Sequence, residues 1–151
     1  MYTEICDFLY VGSANAIASA NKFDLIINCT PDMREPKQYK QFIRLPINDD
    51  PDDIENAFSI INETGVLAVI NTAIGNRERV LVHCYAGEQR SCAIVACFLI
   101  RYQGMTPSDA VAYLQHRHEY AFNGGANLIE LLEKIELQTR EHQQLQYECG
   151  K

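Results

Sequence analysis

Residues 80–92 read VLVHCYAGEQRSC. The opening apolar, β-branched run has the character of a strand covered on both faces. It stops at His83-Cys84, and from Ser91 to about Tyr102 the apolar pattern turns helical. Between them YAGEQ, five residues with a glycine in the middle, leads to Arg90. A short loop feeding a helix N-terminus turns successive backbone N–H groups inward and forms a nest for a tetrahedral anion. Tyr85, Ala86, Gly87, Glu88 and Gln89 would supply that nest. Gly87 allows the tight backbone path, and Arg90 can fold its guanidinium over two anion oxygens. Cys84 would sit on the nest's floor, where the helix N-terminus and Arg90 favour the thiolate.

A thiolate beneath a bound phosphate is placed for in-line attack on phosphorus, giving a cysteinyl-phosphate whose oxygens the nest and Arg90 hold. Ser91 can donate a hydrogen bond to the sulfur and ease its later departure. A thiolate needs no base, so His83 reads as a residue that orients the loop backbone. The leaving oxygen does need a proton. The carboxylates able to give it lie in LPINDDPDDI: Asp49, Asp50, Asp52 and Asp53.

Outward from this motif, the 151 residues read as one domain, 1–151, with no repeat, linker or low-complexity tract. A net charge of −7 argues against an extended nucleic-acid backbone interface. The longest apolar run, CAIVACFLI, is too short to cross a bilayer, and MYTEICDFLY has no signal-peptide pattern. Six cysteines without a secretory leader point to a reducing, cytoplasmic or nuclear setting. FLYVG (8–12), FDLIINCT (23–30), FIRLPIN (42–48) and RVLVHC (79–84) read as strands. Ser13–Ala20 reads as a small-residue helix, and 31–41 as a loop. An amphipathic helix is predicted from about Asp52 or Asp53 to residue 75. Ile54, Phe58, Ile61, Ala68 and Val69 lie on its apolar face, with a weak point at Gly65. Thr106-Pro107-Ser108-Asp109 starts another helix, and Asn127 with Glu130 caps the last, along LIELLEKIELQTR. The expected fold is α/β: a mixed sheet of four or five strands flanked by helices.

HCYAGEQRS resembles the His-Cys-x5-Arg-Ser/Thr signature of the cysteine-dependent protein tyrosine phosphatase superfamily. FLYVGS, LIINCT and CAIVACFLIRYQGMTPSDAVAYL look like its dual-specificity branch. The resemblance implies the phosphatase fold, no metal and no cofactor, and hydrolysis of phosphomonoesters on phosphorylated proteins. It singles out Asp49, 35 residues before Cys84, as the general acid, with Asp50 the runner-up. It also implies that Asn123 steadies the phosphate loop, although Phe122 stands where the family has proline. Cys29, ending a strand beside that of Cys84, resembles the cysteine with which some superfamily members form a disulfide on oxidation. Members acting on polyphosphorylated lipids tend to carry basic residues in this loop. Tyr85, Glu88 and Gln89 are not basic, which speaks against a highly charged inositol head group or an RNA 5′-triphosphate end. RNA 5′ ends, phosphoinositides, phosphocarbohydrates, or phosphate binding without turnover remain the alternatives. His116 and His118 share a predicted helix without a third ligand and read as surface residues, not a metal site.

Overall fold

The computed structural model describes residues 1–35 and 41–149. Part of the 31–41 segment therefore lies outside the described residues. Five strands form one sheet in the order β1-β2-β5-β3-β4. They are β1 (Tyr2–Cys6), β2 (Leu9–Gly12), β3 (Leu25–Asn28), β4 (Phe42–Arg44) and β5 (Val80–His83). β1 runs antiparallel to β2, and the other pairings are parallel. β1 is an addition to the sequence reading. YTEIC buries only Ile5 fully, so it carries no apolar run, and the turn at Phe8 (φ 72°) folds it back as a hairpin edge. Every residue of β3 and β5 is buried, as expected for parallel strands covered on both faces. FIRLPIN keeps strand structure only over its first three residues, because Pro46 has no N–H to continue the ladder.

One face of the sheet packs on a 3-10 segment, Ala14–Lys22, through Ala16, Phe23, Ile26 and Leu81. The other face carries the main core and five helices. These are α1 (Ile54–Thr64), α2 (Val66–Gly75), α3 (Arg90–Gln103), α4 (Pro107–Arg117) and α5 (Ile129–Cys149). In α3 every residue from Ser91 to Ile100 is buried, and α2, α4 and α5 pack around it.

The long helix expected to residue 75 splits at Gly65. That glycine takes the left-handed conformation (φ 63°), and the two halves bend by 49°. The break resets the helical phase, so Val66, Leu67, Ile70 and Ala73 are buried while Ala68 and Val69 face outward. The caps also differ from expectation. Asp50 accepts from the Asp52 N–H at 2.9 Å, opening a 3-10 turn before α1, and Asp53 accepts from the Asn48 N–H at 3.1 Å. Asn127 does not cap α5. Its side chain turns to Asp49, described below. Among the described residues no single helix is long and apolar enough to span a membrane.

Candidate active site

β5 is the sheet's central strand, between β2 and β3, and its C-terminal end delivers Cys84 where the flanking parallel strands also end. Open α/β sheets place their binding crevices at such ends. The loop from Cys84 to Arg90 is held from outside by its own carbonyls. The Tyr85 carbonyl accepts from Ala14 N–H at 2.9 Å, that of Gly87 from His118 Nε2 at 2.8 Å, and that of Glu88 from Phe122 N–H at 2.8 Å. The N–H groups of Tyr85 to Gln89 have no acceptor among the described residues. They form the donor set that an anion requires.

Gly87 has φ 72°, and a Cβ there would lie 3.0 Å from the main chain of Gly12 and Ser13. Only glycine fits on both counts. Arg90 donates to the Ile47 carbonyl at 3.1 Å, and its guanidinium lies 5.6 Å from the centre of the Tyr85 ring. The Tyr85 hydroxyl donates to Asp32 at 2.9 Å. The guanidinium is thus set between the phosphate loop and the segment leading to Asp49. Ser91 Oγ lies 3.2 Å from Cys84 Sγ, with both residues buried.

The sequence-predicted residues meet here, with changes of role. His83, expected to orient the loop backbone, is fully buried at the end of β5, and neither ring nitrogen makes a hydrogen bond to a described residue. Burial pushes its pKa down to about 4, with the Arg44 charge adding to this and the Cys84 main chain opposing it, so the ring is neutral at physiological pH. Asn123 is exposed and serves the loop through its main chain: its carbonyl accepts from Gln89 Nε2 at 3.1 Å. Gln89 Nε2 also donates to Gly125 O at 2.8 Å.

His118 is buried, contrary to the surface reading, while His116 is exposed. A carbonyl can only accept, so Nε2 of His118 carries the proton toward Gly87, and Nδ1 pairs with Thr3 Oγ1 at 2.9 Å. His118 follows the last residue of α4 in extended backbone, where the chain turns back toward the loop. Cys29 N–H donates to the His83 carbonyl at 2.8 Å, which extends the β3–β5 register to put Cys29 beside Cys84. Neighbouring strands lie about 4.8 Å apart, within the Cα separation a disulfide accepts. Burial raises the Cys29 and Cys92 thiols well above the ordinary value, and Cys97 to about 12. These three remain thiols at neutral pH. Among the described residues no three His, Cys, Asp or Glu side chains gather as a metal site.

Asp49 is exposed, and both of its carboxylate oxygens face Asn127 Nδ2, at 3.1 and 3.4 Å. A cavity of about 290 Å³ opens beside Tyr85 and Ala86, with Ser13, Asn15, His118 and Tyr120 among its walls.

Residues 9–138 match the family model described as "Dual specificity phosphatase, catalytic domain". The chain belongs to the dual-specificity phosphatase family. A putative tyrosine phosphatase of Invertebrate iridescent virus 6 is 32% identical over 136 residues, spanning 89% of this phosphatase and 91% of the viral protein. A crystal structure of a mouse putative dual specificity phosphatase superposes with a TM-score of 0.80 at 22% identity, covering 93% of this chain and 89% of that one. The human tyrosine phosphatase-like serine/threonine/tyrosine-interacting protein superposes at 0.73 and 24% identity, over 90% and 95% of the two chains. These two likenesses concern the fold. The phosphatase's cysteine-based chemistry follows from the family and from Cys84 at the head of its loop.

Proposed function

We propose that this phosphatase hydrolyses phosphotyrosine, and phosphoserine or phosphothreonine, on proteins, with Cys84 as nucleophile, Arg90 as phosphate clamp and Asp49 as general acid. The observation that carries the reading is the loop itself: a run of N–H groups with no acceptor among the described residues, bounded by Arg90, beside a buried sulfur. The Cys84 thiolate attacks phosphorus in line as the P–O bond to the substrate breaks, and Asp49 gives its proton to the departing oxygen. The Tyr85–Gln89 N–H groups and Arg90 hold the three equatorial oxygens throughout. Asp49, now a carboxylate, takes a proton from the water that attacks the cysteinyl-phosphate. The S–P bond breaks, inorganic phosphate leaves, and the Ser91 hydroxyl supports the returning thiolate.

Two features favour phosphoproteins over polyphosphorylated substrates. No loop residue before Arg90 is basic, and Asp32, Asp49 and Glu88 lie at or beside the loop, where a second phosphate would be repelled. The cavity beside Tyr85 and Ala86 has no Lys or Arg side chain in its lining and includes the exposed Tyr85 and Tyr120, which a neighbouring peptide side chain could meet. A thiolate nucleophile works only while reduced, so we place the activity in the cytoplasm or nucleus.

The test is hydrolysis of p-nitrophenyl phosphate, phosphopeptides, phosphoinositides and RNA 5′-triphosphate. Cys84→Ser should abolish turnover, and Asp49→Ala should lower kcat by about 10²–10⁴-fold with little change in KM. Faster turnover of lipid or RNA than of phosphopeptides would overturn the substrate class. Full activity of Asp49→Ala beside an inactive Asp50→Ala would move the acid to Asp50. Phosphopeptide binding without turnover by the unaltered protein would make it a binding module.

A further inference from the structure

We propose that Asn127 is the positioning residue for the proton donor, and that Gln89 ties it to the phosphate loop. The inference rests on Asp49 being the acid. Two other members of the acidic run are engaged locally. Asp50 accepts from the Asp52 N–H, and Asp53 accepts from Asn48 N–H and from Asn56 Nδ2 at 3.2 Å. Asp49 bonds away from its own segment. Its carboxylate lies against the Asn127 amide, which comes from the turn before α5.

That turn is fixed by one side chain of the phosphate loop. Gln89 is 6% exposed, and its amide is bonded on both sides. Oε1 accepts from Asn127 N–H at 3.0 Å, while Nε2 donates to the carbonyls of Asn123 and Gly125. A continuous chain therefore runs from the loop that binds phosphate, through Gln89 and Asn127, to the carboxylate that must meet the leaving oxygen of the same phosphate. An exposed carboxylate left alone samples several rotamers. Holding it in one, at a register set by the anion site, provides the orientation on which proton transfer depends. Gln89 suits this because a single amide supplies the acceptor and both donors that the turn requires.

The experiment is a double-mutant cycle, Asn127→Ala against Asp49→Ala, with kcat and KM measured on phenyl phosphate and p-nitrophenyl phosphate. Phenolate leaves less readily than nitrophenolate and depends more on protonation. Asn127→Ala should lower kcat on phenyl phosphate by about tenfold, and less on p-nitrophenyl phosphate, with KM unchanged. The loss should vanish in the Asp49→Ala background. Asn127→Asp, of equal size, sets a like charge against Asp49 and should lower kcat further. Gln89→Glu, which removes both donors, should reproduce the leaving-group dependence. Unchanged kcat in Asn127→Ala, or an equal loss with and without Asp49, overturns the proposal. Full activity of Asp49→Ala overturns the acid assignment and this proposal with it, whereas loss in Asp49→Ala with none in Asn127→Ala overturns this proposal alone.

Discussion

A methyl group at position 87 would press on the Gly12 and Ser13 main chain while forcing a left-handed φ on a residue with a Cβ. Left-handed strain alone costs about 1–3 kcal/mol at such sites. Gly87→Ala is therefore expected to lower unfolding free energy by about that much in urea titration. It should also weaken competitive inhibition by inorganic phosphate. This residue, with Cys84, Arg90 and Ser91, was legible in the sequence because the loop's conformation is set within a few consecutive residues. His118, Gln89 and Asn127 were not read that way. Their roles depend on which distant backbone group each meets, and spacing along the chain does not encode that. His83 was legible as a member of the signature, but not in its state: its ring is buried, and neither nitrogen makes a hydrogen bond to a described residue.

At the scale of elements, three separate pieces of structure grip the loop: the chain leaving β2, the end of α4 and the turn before α5. The contact from the end of α4 is made by the His118 side chain to the Gly87 carbonyl. His118→Leu roughly keeps the volume but leaves the Thr3 hydroxyl without its partner and the Gly87 carbonyl with only the weak Cys92 thiol donor at 3.5 Å. The expected cost is about 1–3 kcal/mol by chemical denaturation, with weaker inhibition by inorganic phosphate. Removing only the other end, by Thr3→Val, should cost less, since the Gly87 bond survives. The helices themselves were largely readable from periodicity and breakers, as at Gly104 and Thr106, whose hydroxyl caps α4 by accepting from Asp109 N–H at 3.1 Å. Periodicity misled only across Gly65, because one left-handed residue rotates everything after it.

For the whole molecule, the buried His83 ring makes stability depend on pH. Its folded pKa of about 4 lies below the ordinary 6.5, so between these values the unfolded chain takes up a proton that the folded one refuses. Stability should thus be full above about pH 6.5 and fall as pH drops toward 4, by up to about 3 kcal/mol. Urea titrations across that range would measure the slope, and His83→Leu should flatten it.

The central position of β5 has a consequence for how activity arises during folding. Val80 pairs with Leu9 on one side and Leu25 on the other, partners far away along the chain. Both large loops must close before the strand carrying Cys84 has neighbours, and such closures are slow compared with helix formation. Refolding monitored by circular dichroism should therefore run ahead of recovered catalysis, with the nucleophile among the last features to take shape.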